Sequence, residues 1–157
     1  MPVEVSNESE IAVDEAELAG ICRFVLGEMD VNPMAELSVL CVDPDYMSTL
    51  HERWMGEKGP TDVLAFPMDE LDTARPDDPD PGPALLGDVV LCPDFAARQA
   101  VQQGHPLEVE LQVLTAHGVL HLLGHDHQDD DSAAAMEALE TAILAGLGIA
   151  DPYQSRS

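Results

Sequence analysis

The sequence predicts an α/β or α+β fold: a single domain in which a small, mostly parallel mixed sheet is packed with helices. Strand-like and helix-like segments mix along the 157 residues without strict alternation or internal repeats. Hydrophobic residues make up 45% of the chain and charged residues 24%, which is typical of a protein with a packed core. We expect one domain over 1–157, with its core over about 13–148.

Four elements are predicted in the first third of the chain. Residues 2–7 have the pattern of a short strand. Residues 13–30 carry apolar side chains at helical spacing, and Asp14 is the expected N-cap. Segment 35–43 is apolar and ends at a proline, which favours a strand, and 44–56 follows as a helix.

The middle of the chain predicts two further strands and a helix. Segment 61–67 is a short apolar run closed by a proline, and 85–93 is a second apolar run. Between them, 68–84 is acidic and rich in proline and glycine, which predicts a loop. A short helix is expected over 94–104, with Gly104 at its end.

Two helices are predicted in the last third. Segment 106–124 is apolar almost all round after Gln112, apart from Thr115 and two histidines. A helix that is apolar on all sides is normally central and buried. Residues 131–148 have a second strong helical pattern that ends at glycines.

Composition limits the classes of function. The net charge of −25 argues against a protein that binds nucleic acid non-specifically. The chain starts without a secretory pattern and has no apolar run near the roughly 18 residues that span a bilayer, so we expect a cytoplasmic protein without membrane association. Cys22, Cys41 and Cys92 have apolar neighbours and no CxxC spacing, which predicts buried, reduced thiols and not metal ligands.

Four of the six histidines lie in the segment HGVLHLLGHDH, 117–127. His117 and His121 are four residues apart and therefore share one face of the predicted helix. Gly124 is expected to end that helix, so that the chain turns back and His125 or His127 supplies a third nitrogen. Three protein ligands and one open position are typical of a catalytic zinc site.

Two physical arguments favour a metal over ordinary core histidines. Burying two imidazoles without partners is costly, and a helix end carries partial negative charge that attracts a cation. Asp126 lies between the two candidates for the third ligand. We expect its carboxylate to orient a ligand imidazole through a hydrogen bond.

The segment HGVLHLLGHDH resembles the signature H-G-x-L-H-L-x-G-[YH]-D-H of the YbeY family, bacterial metal-dependent endoribonucleases also called rRNA maturation factors. GPTDVLAFPMDE, 59–70, is similar to that family's P-T-D-V-L-S-F-P stretch. LLGDVVLCPDFAARQA, 85–100, is similar to its L-G-D-I-x-I strand and following helix. The likeness covers nearly the whole chain.

The resemblance implies a function and a set of site residues. It selects His127 as the third ligand, so that His117, His121 and His127 hold one zinc ion per chain and form the catalytic centre. It implies a single-strand-specific endoribonuclease in 16S rRNA 3′-end maturation and ribosome quality control. The implied partners are RNA, namely the 16S rRNA precursor, and ribosomal particles, with ribosomal proteins as further candidates.

The chain departs from the family at one position. Family members commonly carry a basic residue where this chain has Met55, and Arg53 and Lys58 are the nearby candidates for substrate contact. Asp62 and Asp88 are carboxylates beside apolar strands, and each is either a structural residue of a turn or edge or part of the site.

Two alternative functions stay open. Zinc peptidases share the His-x-x-x-His spacing, but they carry a glutamate after the first histidine, where this chain has Gly118. That glycine leaves room for a bulky substrate or serves helix packing. A ribosome-associated factor with a purely structural zinc is the other alternative, and the charge of −25 favours it because naked RNA would be repelled.

Overall fold

A computed structural model describes most of the chain, namely residues 3–29, 31, 35–59, 61–67, 85–123, 138, 141–143 and 145–146. Four strands are present: β1 (Val3–Asn7), β2 (Glu36–Cys41), β3 (Val63–Pro67) and β4 (Leu85–Leu91). Four helices pack around them: α1 (Glu15–Glu28), α2 (Pro44–Met55), α3 (Pro93–Gln103) and α4 (Leu107–Leu122). The described residues after position 137 are also helical.

The strands form one mixed sheet in the order β1-β2-β4-β3. The β1–β2 and β2–β4 pairs are parallel, and β3 pairs antiparallel with β4 at one edge. Pro67 ends β3, and a proline without an N–H donor is tolerated on an edge strand. The predicted mixed and mostly parallel sheet is therefore confirmed.

Helices cover the sheet from both sides because alternate strand residues point to opposite faces. Val89 and Leu91 belong to a large core with α1 and α4, whereas Val90 belongs to a smaller core with Met47 of α2. Helix α4 contacts α1, α3, β3 and β4, and its last ten residues are mostly buried. The expected central, buried helix is thus confirmed.

Local signals account for the helix boundaries. The Asp14 carboxylate accepts a hydrogen bond of 3.0 Å from the Glu17 backbone N–H, which confirms the predicted N-cap. Gly104 ends α3 with φ 75°, in the left-handed region that glycine adopts without strain. Helix α4 ends at Leu122, and the expected stop at Gly124 lies outside the described residues.

Helix α4 buries one charged residue, Glu110, whose side chain is only 1% exposed. It is paired with the ring of His105, which follows α3. The predicted loop 68–84 and most of the predicted helix 131–148 lie outside the described residues, and the domain limits stay a prediction. None of the helices described here combines the length and apolar character needed to cross a bilayer.

Candidate functional site

Two of the predicted metal ligands lie side by side near the end of α4. The ring centroids of His117 and His121 are 5.1 Å apart, and the ring planes are inclined by 37°. Both side chains are half-buried, and the residues between them are buried. The expected pair of imidazoles on one helix face is therefore present, next to the negative end of the helix dipole.

Gly118, between the two histidines, lies where α4 packs closely against the sheet. A Cβ atom at Gly118 would lie 2.7 Å from Val89 Cγ1 and 3.3 Å from Val63 Cγ2. Helix α4 approaches β3 and β4 closely only because position 118 has no side chain. Of the two roles considered for Gly118, the structure supports packing.

The remaining part of the predicted metal site is outside the described residues, since His125, Asp126 and His127 all fall there. Within the described ranges, no three His, Cys, Asp or Glu side chains cluster as metal ligands. The two imidazoles fit a borderline-soft divalent cation by their donor chemistry. The choice of His127 over His125 and the role of Asp126 stay predictions.

The three cysteines are buried, as expected. Burial raises the pKa of Cys22 from 9.0 to about 12 and that of Cys41 to about 11. Burial also raises the pKa of Cys92. These thiols are therefore protonated at neutral pH, as expected of structural cysteines.

The two expected substrate contacts, Arg53 and Lys58, are exposed at and beyond the end of α2. The Arg53 guanidinium lies 5.5 Å from the centre of the Trp54 ring. Helix α2 packs on the sheet face opposite α4, so these cations come from a different side of the sheet than the histidine pair.

His51 organises the segment that carries Lys58. Its Nδ1 atom is hydrogen-bonded to the Gly59 carbonyl at 2.9 Å, and its Nε2 atom lies 3.1 Å from a Glu57 carboxylate oxygen. The histidine thus ties the turn after α2 back to that helix. This role was missed in the sequence, because nothing in the local pattern distinguishes His51 from a surface histidine.

The two aspartates have different roles. The Asp62 carboxylate accepts a 2.7 Å hydrogen bond from the Val63 N–H, and the Asp62 carbonyl accepts one of 2.9 Å from the Cys92 N–H. Asp62 is therefore a turn residue at the start of β3. Asp88 is exposed and lines a groove of about 770 Å³ between α2 and the sheet. Arg98, an exposed residue of α3, is paired with Asp94 of the same helix at 2.8 Å.

The groove beside α2 was also missed in the sequence. Tyr46, Trp54 and Met55 line it with exposed fractions of 53%, 60% and 48%. Trp54 meets Phe66 edge-to-face, with ring centroids 6.3 Å apart. The spacing of Tyr46, Leu50 and Trp54, each four residues from the next, was the available signal, because it places them on one face of α2.

The fold and the histidine pair define an α+β protein with a candidate metal centre at the end of its central helix. The model of the family "Endoribonuclease YbeY" matches residues 4–148, and the chain belongs to the YbeY family of hydrolytic nucleases. The resemblance drawn from its motifs is thereby confirmed.

Relatives support the same assignment. Endoribonuclease YbeY of Mycolicibacterium vanbaalenii is 59% identical over 145 residues, which cover 92% of this chain and 79% of that protein. Endoribonuclease YbeY of Mycobacterium tuberculosis is 58% identical over 145 residues, which cover 92% and 82%. The solution structure of a Thermotoga maritima protein superposes with a TM-score of 0.57 at 20% identity over 99% of this chain and 95% of that one, which shows a shared fold.

Proposed function

We propose that this protein is a zinc-dependent, single-strand-specific endoribonuclease that acts on the 16S rRNA precursor in 3′-end maturation and in ribosome quality control. The observation that carries the proposal is the pair of half-buried imidazoles, His117 and His121, 5.1 Å apart in a member of an endoribonuclease family. The proposal places it in the cytoplasm with ribosomal particles, and with ribosomal proteins as further partners.

The chain's own residues have separate tasks in this proposal. His117 and His121 hold one zinc ion per chain, His127 is the third ligand, and Asp126 orients an imidazole. A bound zinc supplies Lewis acidity for phosphodiester hydrolysis, by activating water and polarising a phosphoryl oxygen. Because Gly118 has no side chain, α4 packs directly against Val89, and this contact holds the helix that carries the first two ligands.

Substrate charge is met by the few cations near α2. Arg53 and Lys58 are exposed there. We propose that they contact RNA phosphates, since this chain has Met55 where family members commonly carry a basic residue. A chain with six basic and 31 acidic residues has little other positive charge for RNA. Neutralising Arg53 should therefore weaken RNA binding and reduce its salt dependence.

The test is zinc content per chain, with RNA cleavage assayed on the same preparations, for wild type, His127→Ala and the matched control His125→Ala. We expect near one zinc and full cleavage in wild type and His125→Ala, and loss of both in His127→Ala. Zinc retained in His127→Ala would contradict the assigned ligands. Full zinc without cleavage in every preparation would support a structural metal.

A second variant separates catalysis from folding. His121→Ala should lose zinc and cleavage while its circular dichroism stays close to that of wild type. A structural zinc instead predicts that His121→Ala unfolds, because metal-dependent folding energy is lost with the ligand. A peptidase is disfavoured because Gly118 occupies the position of the catalytic glutamate.

A further inference from the structure

The groove beside α2 gathers the exposed apolar surface of the described chain. Among the described residues, four large apolar side chains are markedly exposed, and three of them, Tyr46, Trp54 and Met55, line this one groove. The fourth, Val101, lies on α3 outside it. Apolar residues that collect at one concave place mark a binding site, whereas scattered ones do not.

The floor of the groove is a single row across all four strands. Glu4 of β1 is the register partner of Ser38 of β2, which is the partner of Asp88 of β4, which is the partner of Phe66 of β3. All four line the groove. With strands about 4.8 Å apart, the row is roughly 14 Å long: two carboxylates and a hydroxyl occupy about 10 Å of it, and the aromatic ring of Phe66 ends it.

The aromatic rim of the groove and its polar floor favour different parts of a ligand. Trp54 meets Phe66 edge-to-face, and the Arg53 guanidinium lies over the Trp54 ring, 5.5 Å from its centroid. The rim therefore offers exposed aromatic surface, with the second face of Trp54 for stacking, together with a cation. The floor offers hydrogen-bond acceptors, Asp88 and Glu4, both exposed. A fitting ligand has a flat apolar ring with N–H donors and an anionic backbone.

A single-stranded RNA has this combination. Unpaired bases stack on aromatic side chains, and their exocyclic amino groups donate to carboxylates, while the phosphates meet an arginine. A basic peptide would satisfy Glu4 and Asp88 but would be repelled by Arg53. A duplex would not fit, because its base edges are already paired and its base faces are already stacked on neighbouring bases.

We propose that the groove between α2 and the row Glu4–Ser38–Asp88–Phe66 is a nucleobase subsite for single-stranded RNA that prefers bases with an exocyclic amino group to uracil. The subsite deepens the proposed function and rests on its RNA ligand, not on cleavage of that ligand. Such a subsite selects unpaired strands for binding, since only an unpaired base can lie on Trp54 with its edge on Asp88.

Trp54 is the only tryptophan in the chain, so its fluorescence reports on the groove directly. Full-length protein is titrated with a 2′-O-methyl oligocytidine, which cannot be attacked through its 2′-OH, and with a matched oligouridine. We expect quenching by both and tighter binding of oligocytidine by about tenfold, in line with the energy of one base-edge contact. Equal affinity for the two oligomers would overturn the base preference.

Three variants assign the contacts, with binding measured by anisotropy of a labelled oligonucleotide. Trp54→Ala should weaken oligocytidine binding about tenfold or more through loss of stacking. Asp88→Leu should remove the preference for cytidine, because leucine has a similar shape but no acceptor for the cytosine amino group. The control Val101→Ala, equally apolar and exposed but outside the groove, should bind as wild type. Unchanged binding by Trp54→Ala would refute the subsite.

Failure of the subsite and failure of the proposed function are distinguishable. If wild type and Trp54→Ala cleave and bind RNA alike, the subsite is wrong and the ribonuclease function stands. If RNA leaves Trp54 fluorescence unchanged but an arginine-rich peptide quenches it, the groove docks a protein and the proposal is overturned. Quenching by RNA without cleavage by any preparation would keep the subsite and remove the catalytic function.

Discussion

The close contact between α4 and the sheet predicts that Gly118→Ala is destabilising, although alanine is the better helix former. The new Cβ atom would lie 2.7 Å from Val89 Cγ1, whereas carbon atoms prefer about 3.5–4.0 Å, so a shift of about 0.8 Å is required. Val89 is fully buried and β-branched, so its side chain has little freedom to yield.

The magnitude follows from two opposing terms. Overpacking a well-packed core costs about 1–3 kcal/mol, and replacing an interior helical glycine with alanine returns about 1 kcal/mol. Gly20→Ala in α1 is the matched control, because nothing lies within 4 Å of its Cβ position. That variant should gain up to about 1 kcal/mol, so the difference between the two variants isolates a packing cost of about 1–3 kcal/mol.

Urea denaturation of the two variants measures this difference, and zinc binding on the same samples shows whether His117 and His121 have shifted. Combining Gly118→Ala with Val89→Ala removes the clashing methyl group, so the two substitutions should couple by more than about 0.5 kcal/mol. If Gly118→Ala proves as stable as Gly20→Ala, the close helix–sheet contact is wrong.

Two further predictions concern buried titratable groups. Burial raises the pKa of Cys22 from 9.0 to about 12 and that of Cys41 to about 11, so just above pH 9 the unfolded chain loses these protons and the folded chain keeps them. The free energy of unfolding should therefore fall as pH rises from 9 toward 12. Urea midpoints measured across this range should fall less in Cys22→Ala than in wild type. Glu110→Ala should lower the free energy of unfolding by about 3 kcal/mol, because it leaves the His105 ring without its buried partner, whereas Glu108→Ala, at an exposed position of the same helical turn, should lower it little. Thermal unfolding of the two variants measures the difference, and a larger loss in Glu108→Ala than in Glu110→Ala would contradict the prediction.

Local patterns in the sequence were enough to predict the described helices and strands and the pairing of two of the three expected metal ligands. Helical spacing, the Asp14 cap and the Gly104 stop are signals carried by neighbouring residues, and they gave each described helix within about two residues. The pairing of His117 and His121 follows from the helical repeat alone. The motif residues likewise led to the right family without any knowledge of how the chain folds.

Only the tertiary structure decided which distant residues meet. The antiparallel pairing of β3, the seat of Gly118 on Val89 and the burial of Glu110 depend on how a helix and a sheet approach each other, which residue spacing along the chain does not encode. The row of Glu4, Ser38, Asp88 and Phe66 spans four strands and exists only through their register. The helical repeat acts over a few residues and is legible in the sequence, whereas strand register is set by the packing of the whole domain.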